Sequence, residues 1–438
     1  MTSAKIAVIS LSLLVACGGA GGESETDGSS GTSSGSDTEE PTDGPPTSSS
    51  GDPTGDEPAP ACTPGDEPGA LEWSQSAAAL PGFVPSLAAG PEDSVVLAGH
   101  APGNDAFVEL RDAQGAKVWS DVYAGVHGLD DVALDVAVDS KGFVHVLVRE
   151  VILHAVAEMM ETFDARLVVL RYAPDGAHVW RWEHERAPVE PWGSYSPEGR
   201  LAAAGESIVV LEWAYNQPFQ HVRLDAFGNV QAEVTLAVPD NSYRVRFDVG
   251  ADGSVALADT LESPERLWVG RFDAHGAPAW SVEFEGDELK PGSVFAAADG
   301  GAYLAGSLDA NPGLSFSLRK FAGDGAVEWS QGLPVEGADD LRFGGALRCD
   351  GALLLVGGTD KPPQPDNEWG QRRDLWAGLM GPDGALLWSF EHEFGPPFSW
   401  GDGNAAAFTS GGAAVVSGSF LGEDGANYQP WLGRFSGG

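Results

Sequence analysis

The chain ends in Gly433-Arg434-Phe435-Ser436-Gly437-Gly438, a strand that begins a turn but has no strand after it. The segment Gly270-Arg271-Phe272-Asp273-Ala274-His275-Gly276 has the same start, and there the turn leads on into a further strand. The missing strand stands at the other end of the folded region, as Gly69-Ala70-Leu71-Glu72-Trp73-Ser74. The two ends of the chain therefore supply the two halves of one structural unit.

A glycine turn followed four residues later by Trp recurs along the chain. Copies begin at Asp112, Pro174, Asp273, Gly323 and Pro382, and a degenerate copy at Asp225 has Ala232 in place of Trp. The turn glycines 115, 176, 228, 276, 325 and 384 lie 48 to 61 residues apart, which fits four short strands with their loops. With the unit shared between the chain ends, the count is seven.

A second signal, a polar hairpin followed by an apolar strand, precedes each of these turns. Its seven copies begin at Pro91, Val138, Ala204, Gly250, Ala298, Cys349 and Ser410. Short apolar or alternating runs bounded by Gly and Asp are strand signals. The sequence therefore predicts an all-β fold over residues 69–438, a seven-bladed β-propeller of four-stranded blades (strands A to D). The N-terminal strand is predicted to close the ring by pairing with the C-terminal strands.

Part of the repeat resembles known propeller families. Residues 105–125, followed by 133–146, resemble the SBBP repeat of exported bacterial proteins, and Asp-x-x-Gly-x-x-x-Trp is similar to the tryptophan repeat of pyrroloquinoline-quinone-type propellers. The resemblance implies a fold and no activity, because propellers serve binding, scaffolding and catalysis. Quinone-dependent enzymes with this repeat carry two adjacent Cys, which are absent here, so no cofactor is expected.

The N-terminus has the layout of a secretory signal peptide. Lys5 precedes an apolar run from Ile6 to Ala16 that is too short to span a bilayer. Leu14-Val15-Ala16-Cys17 resembles the bacterial lipobox, which implies cleavage after residue 16 and a membrane anchor of acyl chains on Cys17. Gly18 in the next position implies the outer membrane or cell surface.

Residues 17–68 are predicted to be a disordered tether. After Cys17 they are Ser, Gly, Thr, Pro, Asp and Glu with scarcely an aliphatic residue, and they carry twelve acidic groups and no Lys or Arg. The whole chain has a net charge of −41, which excludes nucleic acid as a partner because polyanions would be repelled. The propeller is expected to be a monomer.

The other two cysteines are expected to pair in the oxidising compartment outside the cytoplasm. Cys349 lies in the A-to-B hairpin of the sixth blade, and Cys62 lies just ahead of the strand that completes the seventh. Both positions belong to the same face of neighbouring blades. We predict a Cys62–Cys349 disulfide that fastens the closing strand.

Several aromatic residues outside the repeat fall in B-to-C or D-to-A connections, which emerge together on one face of a propeller. Loops on a rigid scaffold are common binding sites, so these residues are candidates for ligand contact, although packing within their own loops explains them equally well. Arg372 and Arg373 lie there too, where they meet either a ligand carboxylate or the acidic surface. The candidates are Trp192, Tyr195, Trp213, Tyr215, Trp369, Arg372, Arg373, Trp400 and Tyr428.

No catalytic or metal-binding residues are predicted. The triplets Glu183-His184-Glu185 and Glu391-His392-Glu393 place His on the opposite strand face from both Glu, so neither chelates a metal by itself. The leading hypothesis is a binding or scaffold module for a peptide, protein or glycan. The alternatives are a hydrolase or lyase of cell-envelope polysaccharide, and an accessory factor in outer-membrane protein assembly.

Overall fold

The structure is a computed structural model of the 438-residue chain. It describes residues 69–76, 79–101, 103, 105–126, 130–157, 160–184, 197–214, 217–239, 245–261, 266–285, 289–310, 313–333, 344–361, 372–394, 401–421 and 428–436. Within these ranges helical structure is confined to Ala79 and a short 3-10 turn at Pro91–Asp93, and no helix is long and apolar enough to cross a membrane.

Strands make up nearly all of the described secondary structure. The first half of the chain contains β1 (Leu71–Ser76), β2 (Phe83–Ala89), β3 (Val95–His100), β4 (Ala106–Arg111), β5 (Lys117–Tyr123), β6 (Val132–Val138), β7 (Val144–Ala157), β8 (Met160–Tyr172), β9 (His178–Glu183), β10 (Glu198–Ala204), β11 (Ser207–Trp213), β12 (Gln220–Leu224) and β13 (Val230–Thr235). The second half contains β14 (Arg246–Val249), β15 (Val255–Leu261), β16 (Arg266–Phe272), β17 (Pro278–Glu285), β18 (Leu289–Ala296), β19 (Ala302–Ala310), β20 (Gly313–Phe321), β21 (Val327–Leu333), β22 (Gly344–Leu347), β23 (Leu353–Lys361), β24 (Arg372–Met380), β25 (Leu386–His392), β26 (Gly401–Phe408), β27 (Ala414–Leu421) and β28 (Tyr428–Phe435).

These strands form seven antiparallel sheets of four strands each, which are the blades of a β-propeller. Blades 1 to 6 use consecutive strands from β2 to β25, in the order A, B, C, D. The A strands contact one another around the ring, and β26 of blade 7 contacts β2 of blade 1. The B and C strands are buried and the D strands are mostly exposed, so A is innermost and D is outermost. The predicted fold class is confirmed.

Blade 7 is built from both ends of the chain. Its sheet has the order β1-β28-β27-β26, so β1 is its D strand. In the antiparallel pairing, Trp73 stands opposite Arg434 and Ser74 opposite Gly433. The prediction that the N-terminal strand closes the ring is therefore confirmed.

The interrupted turn of blade 7 keeps the hydrogen bonds of the covalent turns. In blade 4, for example, Asp273 N donates to Ala277 O, and Gly276 N donates to Asp273 O, at 2.8 and 3.0 Å. In blade 7, Ser436 N donates to Ala70 O at 3.1 Å, and Gly69 N donates to Ser436 O at 2.8 Å. The turn is thus reproduced without a peptide bond between its halves.

The repeat Trp residues lie between neighbouring blades, which explains why Gly and Trp recur together. The indole nitrogen of Trp119 donates to Pro174 O in the C-to-D turn of the next blade, at 3.0 Å. The left-handed Gly176 of that turn lies over the indole, and a methyl group on it would come within 2.8 Å of the ring. Trp73, Trp180, Trp280 and Trp329 donate in the same way to carbonyls of the following blade.

Basic residues near the ends of the C strands tie the blades together. Arg434 donates to Glu72 Oε2 at 2.8 Å and to Asp93 O at 2.9 Å, and it also contacts the Asp93 carboxylate. Asp93 belongs to blade 1, so Arg434 joins both halves of blade 7 to the next blade. Arg171 and Arg271 likewise donate to carbonyls of the blade that follows their own.

Cys349 lies in the A-to-B hairpin of blade 6, as predicted, and it is disulfide-bonded. Cys17 and Cys62 lie outside the described residues, so its pairing with Cys62 remains a prediction.

Candidate functional site

The connections of the propeller emerge on two opposite faces because its strands alternate in direction. We call the face with the B-to-C and D-to-A connections the loop face, and the face with the A-to-B hairpins and C-to-D turns the turn face. Of the predicted aromatic candidates, Trp213 and Tyr428 are described, and both lie on the loop face. The first residue of the closing strand, Leu71, lies on the turn face, next to the C-terminal Phe435.

A two-stranded ribbon extends from blade 2 on the loop face. β7 and β8 pair with each other as far as Ala157 and Met160. β6 pairs with β7 only as far as Arg149, and β9 pairs with β8 only as far as Val168. At about 3.3 Å per residue, the ribbon continues roughly 25 Å past the four-stranded part of the blade. The sequence predicted residues 151–163 only as a long insertion, and the structure shows most of them as continuous strand.

Glu150 holds the base of this ribbon. Its buried carboxylate accepts hydrogen bonds from Arg166 Nε at 2.7 Å, Arg181 Nη2 at 2.8 Å and Val126 N at 2.9 Å. Burial alone would raise the pKa of Glu150, but the hydrogen bonds and the two guanidinium charges outweigh it and lower the pKa. The Tyr123 hydroxyl donates to the same carboxylate at 3.3 Å. Glu150 therefore fixes the β7–β8 ribbon to blade 1.

Asp131 supports the same region from the connection between blades 1 and 2. It is fully buried, and it accepts hydrogen bonds from the backbone nitrogens of Gly125 and Val151, the latter at 3.0 Å. Burial raises its pKa, and the nearby charge of Glu150 adds to the effect.

Two carboxyls with pKa values pushed in opposite directions are the usual arrangement of an acid and base pair. Asp131 and Glu150 have that arrangement, but each is 0% exposed and bonded to the scaffold. Neither is placed to reach a substrate in this structure, so we assign both to positioning the ribbon.

A histidine between two glutamates joins blades 2 and 3 on the loop face. His184 contacts Glu212 through Nδ1 and lies 3.3 Å from Glu233 Oε1 through Nε2. The ring also stacks on Trp182, with a centroid distance of 5.5 Å. His392 of the other predicted triplet stacks instead on Trp431 of blade 7, at 4.8 Å. Both histidines thus pack between blades.

The structure places four of the loop-face candidates. Trp213 ends strand B of blade 3, is half-buried and stacks on Phe219 at 6.0 Å. Arg373 is buried and its Nη1 lies 3.2 Å from Asp402 Oδ1 of blade 7. Tyr428, the first residue of β28, is 57% exposed. Arg372 opposes Lys361 at the base of the blade 6 connection. The remaining candidates Trp192, Tyr195, Tyr215, Trp369 and Trp400 lie outside the described residues.

Sequence reasoning missed the groups at the base of the ribbon. Glu150, Asp131 and the two arginines belong to no short motif, and only the strand register brings them together. The one available signal was position, since Arg166 lies in the strand that follows the long insertion and Arg181 lies in the next strand of the same blade.

No family model and no curated protein matches the chain. Among solved structures, it is similar to the polysaccharide lyase Uly1, with a TM-score of 0.49 and 8% identity over 81% of this chain and 90% of that chain. A protein of unknown function from Dyadobacter fermentans has a TM-score of 0.45 and 12% identity, over 69% and 94% of the two chains. Hsv2 from Kluyvelomyces marxianus has a TM-score of 0.43 and 11% identity, over 81% and 98%. Similarity this distant says nothing about function.

Proposed function

We propose that this protein is an exported, membrane-anchored β-propeller that uses its loop face to hold a peptide, protein or glycan. The observation that carries the proposal is the β7–β8 ribbon. A rigid ring presents it on the face where Trp213 and Tyr428 also lie.

The composition of the ribbon supports a binding role. Residues 151–163 include Val, Ile, Leu, Ala, Met and Phe, in a chain with 65 acidic residues. An apolar element that extends from the body of a soluble domain commonly marks an interaction surface. Because neither described neighbouring strand follows the ribbon outward, its edges offer backbone groups for pairing with an extended peptide.

The base of the ribbon supports a binding site with a defined position. Glu150 and Asp131 tie β7 to the connection between blades 1 and 2 through buried hydrogen bonds. A fixed base reduces the entropy lost when a partner binds.

The proposed anchor is consistent with this arrangement. The closing strand begins on the turn face, so a lipidated Cys17 and its tether would approach from that side. The loop face would then point away from the membrane.

Binding arrays of glycans and peptides test the proposal on the full-length mature protein. The informative variants replace residues 152–164 with Asn-Gly, or combine Trp192→Ala with Trp400→Ala. The matched control is Phe227→Ala, which alters an 80% exposed aromatic side chain on the turn face. We expect both loop-face variants to lose binding and the control to retain it.

Binding that survives both loop-face changes would contradict the proposal. Turnover of a polysaccharide panel, lost in the same two variants, would instead favour the hydrolase or lyase alternative.

A further inference from the structure

The innermost strands place one residue of each blade at the same level of the central channel. Each of these residues pairs with the corresponding position of strand B, from Ala98 in blade 1 to Ser417 in blade 7. In blade order they are Ser86, Asp135, Arg200, Arg246, Ser293, Gly344 and Ala405. Five neighbouring blades therefore contribute polar side chains, and the last two contribute small ones.

Arg200 differs from the other arginines of the propeller. It is half-exposed, and within the described part of the chain its guanidinium makes no hydrogen bond or ion pair. Arg246 at the same level donates to Gly292 O at 2.9 Å, and Arg434 is bonded on three sides. Among the residues that the structure describes, nothing occupies the donors of the Arg200 guanidinium.

Two carboxyls lie on either side of Arg200, in the neighbouring blades. Both carboxylate oxygens of Asp135 accept hydrogen bonds within the propeller. One accepts from Ser86 Oγ at 2.7 Å, and the other accepts from Leu201 N at 2.8 Å. The Asp248 carboxyl of blade 4 accepts hydrogen bonds from the backbone nitrogens of Ala296, at 2.9 Å, and Val249. Asp248 is therefore the carboxyl with spare hydrogen-bonding capacity beside Arg200.

The electrostatics at Asp248 favour its neutral form. Desolvation raises its pKa and the charge of Asp135 adds to this, while the hydrogen bond from Ala296 and the charge of Arg200 act in the opposite direction. Arg271 on β16 is the other charged group with an electrostatic interaction with Asp248. Both forms of Asp248 can bond a ligand, as a donor when neutral and as an acceptor when ionised.

The channel is lined by small side chains next to these groups. Two residues further along each A strand, the positions are Ala88, Ala137, Ala202, Asp248, Phe295, Ala346 and Ala407. Five alanines and Phe295 leave Asp248 as the polar side chain of this level, two residues along from the level of Arg200.

We propose that the central channel holds a small monocarboxylate that also carries a hydrogen-bond donor, with its carboxylate on Arg200 and its donor on Asp248. A guanidinium binds a carboxylate through two parallel hydrogen bonds. Arg246 at the same level is bonded to Gly292 O, so Arg200 offers one guanidinium, which matches a monoanion and disfavours the higher charge of phosphate. This site is separate from the loop face, so an experiment can contradict either proposal without contradicting the other.

Titration calorimetry on the full-length protein tests the site with four probes: glycolate, glycine, acetate and inorganic phosphate. Glycolate and glycine carry a hydroxyl or an ammonium donor beside the carboxylate, and acetate carries none. We expect glycolate or glycine to bind most tightly. The tighter of the two shows whether the site prefers a hydroxyl or an ammonium donor. Arg200→Gln should weaken this binding by roughly tenfold or more, because hydrogen bonds to a charged partner are lost.

The matched control is Arg223→Gln, on strand C of the same blade, where the guanidinium lies 3.5 Å from His275 Nδ1. Asp248→Asn should abolish the preference over acetate. Arg200→Gln is not expected to unfold the ring, because Arg200 makes no hydrogen bond or ion pair with the residues that the structure describes, and circular dichroism checks this. Labelling with phenylglyoxal, which modifies free guanidinium groups, should reach Arg200 and be slowed by the bound probe.

Several results would overturn the proposal. These are equal affinity of wild type and Arg200→Gln, binding of no carboxylate at tens of millimolar, or a preference for phosphate. Equal binding of acetate and glycolate would remove Asp248 from the site.

Discussion

Trp73 and Arg434 stand opposite each other across the joint between the first and last strands of the propeller. Both side chains also reach blade 1: the Trp73 indole donates to Ala113 O at 3.0 Å, and Arg434 donates to Asp93 O at 2.9 Å. One cross-strand pair thus joins the chain ends to each other and blade 7 to blade 1. The stability of the ring should depend strongly on the few contacts around this pair.

Asp93 is the first of these contacts. It has a left-handed backbone, with φ of 65°, and its carboxylate accepts hydrogen bonds from Arg434, Thr409 and Gly411. Asp93→Asn keeps the backbone preference but removes the charge, and should lower the free energy of unfolding by about 1 to 2 kcal/mol. The neighbouring Glu92→Gln is the control, since Glu92 also has positive φ but no such partners. Equal effects in denaturant unfolding would contradict the assignment.

The same carboxylate makes the stability of the ring pH-dependent. Burial opposes ionisation of Asp93, but the hydrogen bonds from Thr409 and Arg434 outweigh it and lower its pKa from the usual 3.8. A carboxyl whose pKa is lower in the folded state stabilises the fold above its ordinary pKa, and this contribution is lost as pH falls through the folded value. Thermal unfolding between pH 6 and about pH 3 should therefore show a smaller loss of stability in Asp93→Asn than in wild type. Parallel pH profiles would contradict this.

Alanine substitutions at two glycines distinguish the cost of a side-chain clash from the cost of backbone strain. Gly176 and Gly412 have φ of 87° and 84°, so alanine costs a similar backbone strain at both, about 1 to 2 kcal/mol. A methyl group on Gly176 would also meet the Trp119 ring at 2.8 Å, while one on Gly412 would meet nothing within 4 Å. Gly176→Ala should be the more destabilising by about 1 to 3 kcal/mol. Equal losses in chemical denaturation would show that the indole contact contributes nothing.

Removing Glu150 should loosen the ribbon locally. Glu150→Ala leaves Arg166 and Arg181 without their buried partner, a loss of about 3 to 5 kcal/mol. Glu183→Ala is the control, because Glu183 pairs with the same two arginines but is 33% exposed, and should cost less than about 1 kcal/mol. Limited proteolysis should cut near residues 151–163 faster in Glu150→Ala only. Equal cleavage of both variants would refute a special role for Glu150.

The disulfide of Cys349 gives a further prediction. Peptide mapping of the unreduced mature protein should link Cys349 to Cys62, and Cys349→Ser should lower the stability by about 2 to 4 kcal/mol. A link to any other cysteine, or a free Cys349 thiol, would contradict the pairing.

The fold could be predicted from the sequence because the blades repeat the same local structure. The glycines of the six covalent C-to-D turns have positive φ and lie against side chains of the preceding blade, so the pattern is visible in one sequence. The blade shared by the chain ends was predictable for the same reason, since Gly69 and Trp73 keep the spacing of Gly276 and Trp280.

The sites were less predictable because they depend on register between blades. Arg200 comes to lie between Asp135 and Asp248 only through the alignment of three A strands, which no motif records. Residues 151–163 have the composition of a long loop or a strand extension, and pairing between β7 and β8 decides between them. Trp213, chosen as a surface aromatic, stacks on a side chain that lies six residues further along.

Hydrogen exchange tests the closure of the ring most directly. We predict that the amides of Leu71–Ser76 exchange as slowly as those of Tyr428–Phe435, and that both segments open together in a single step. Fast exchange of Leu71–Ser76 while Tyr428–Phe435 stays protected would show that the N-terminal strand does not complete blade 7.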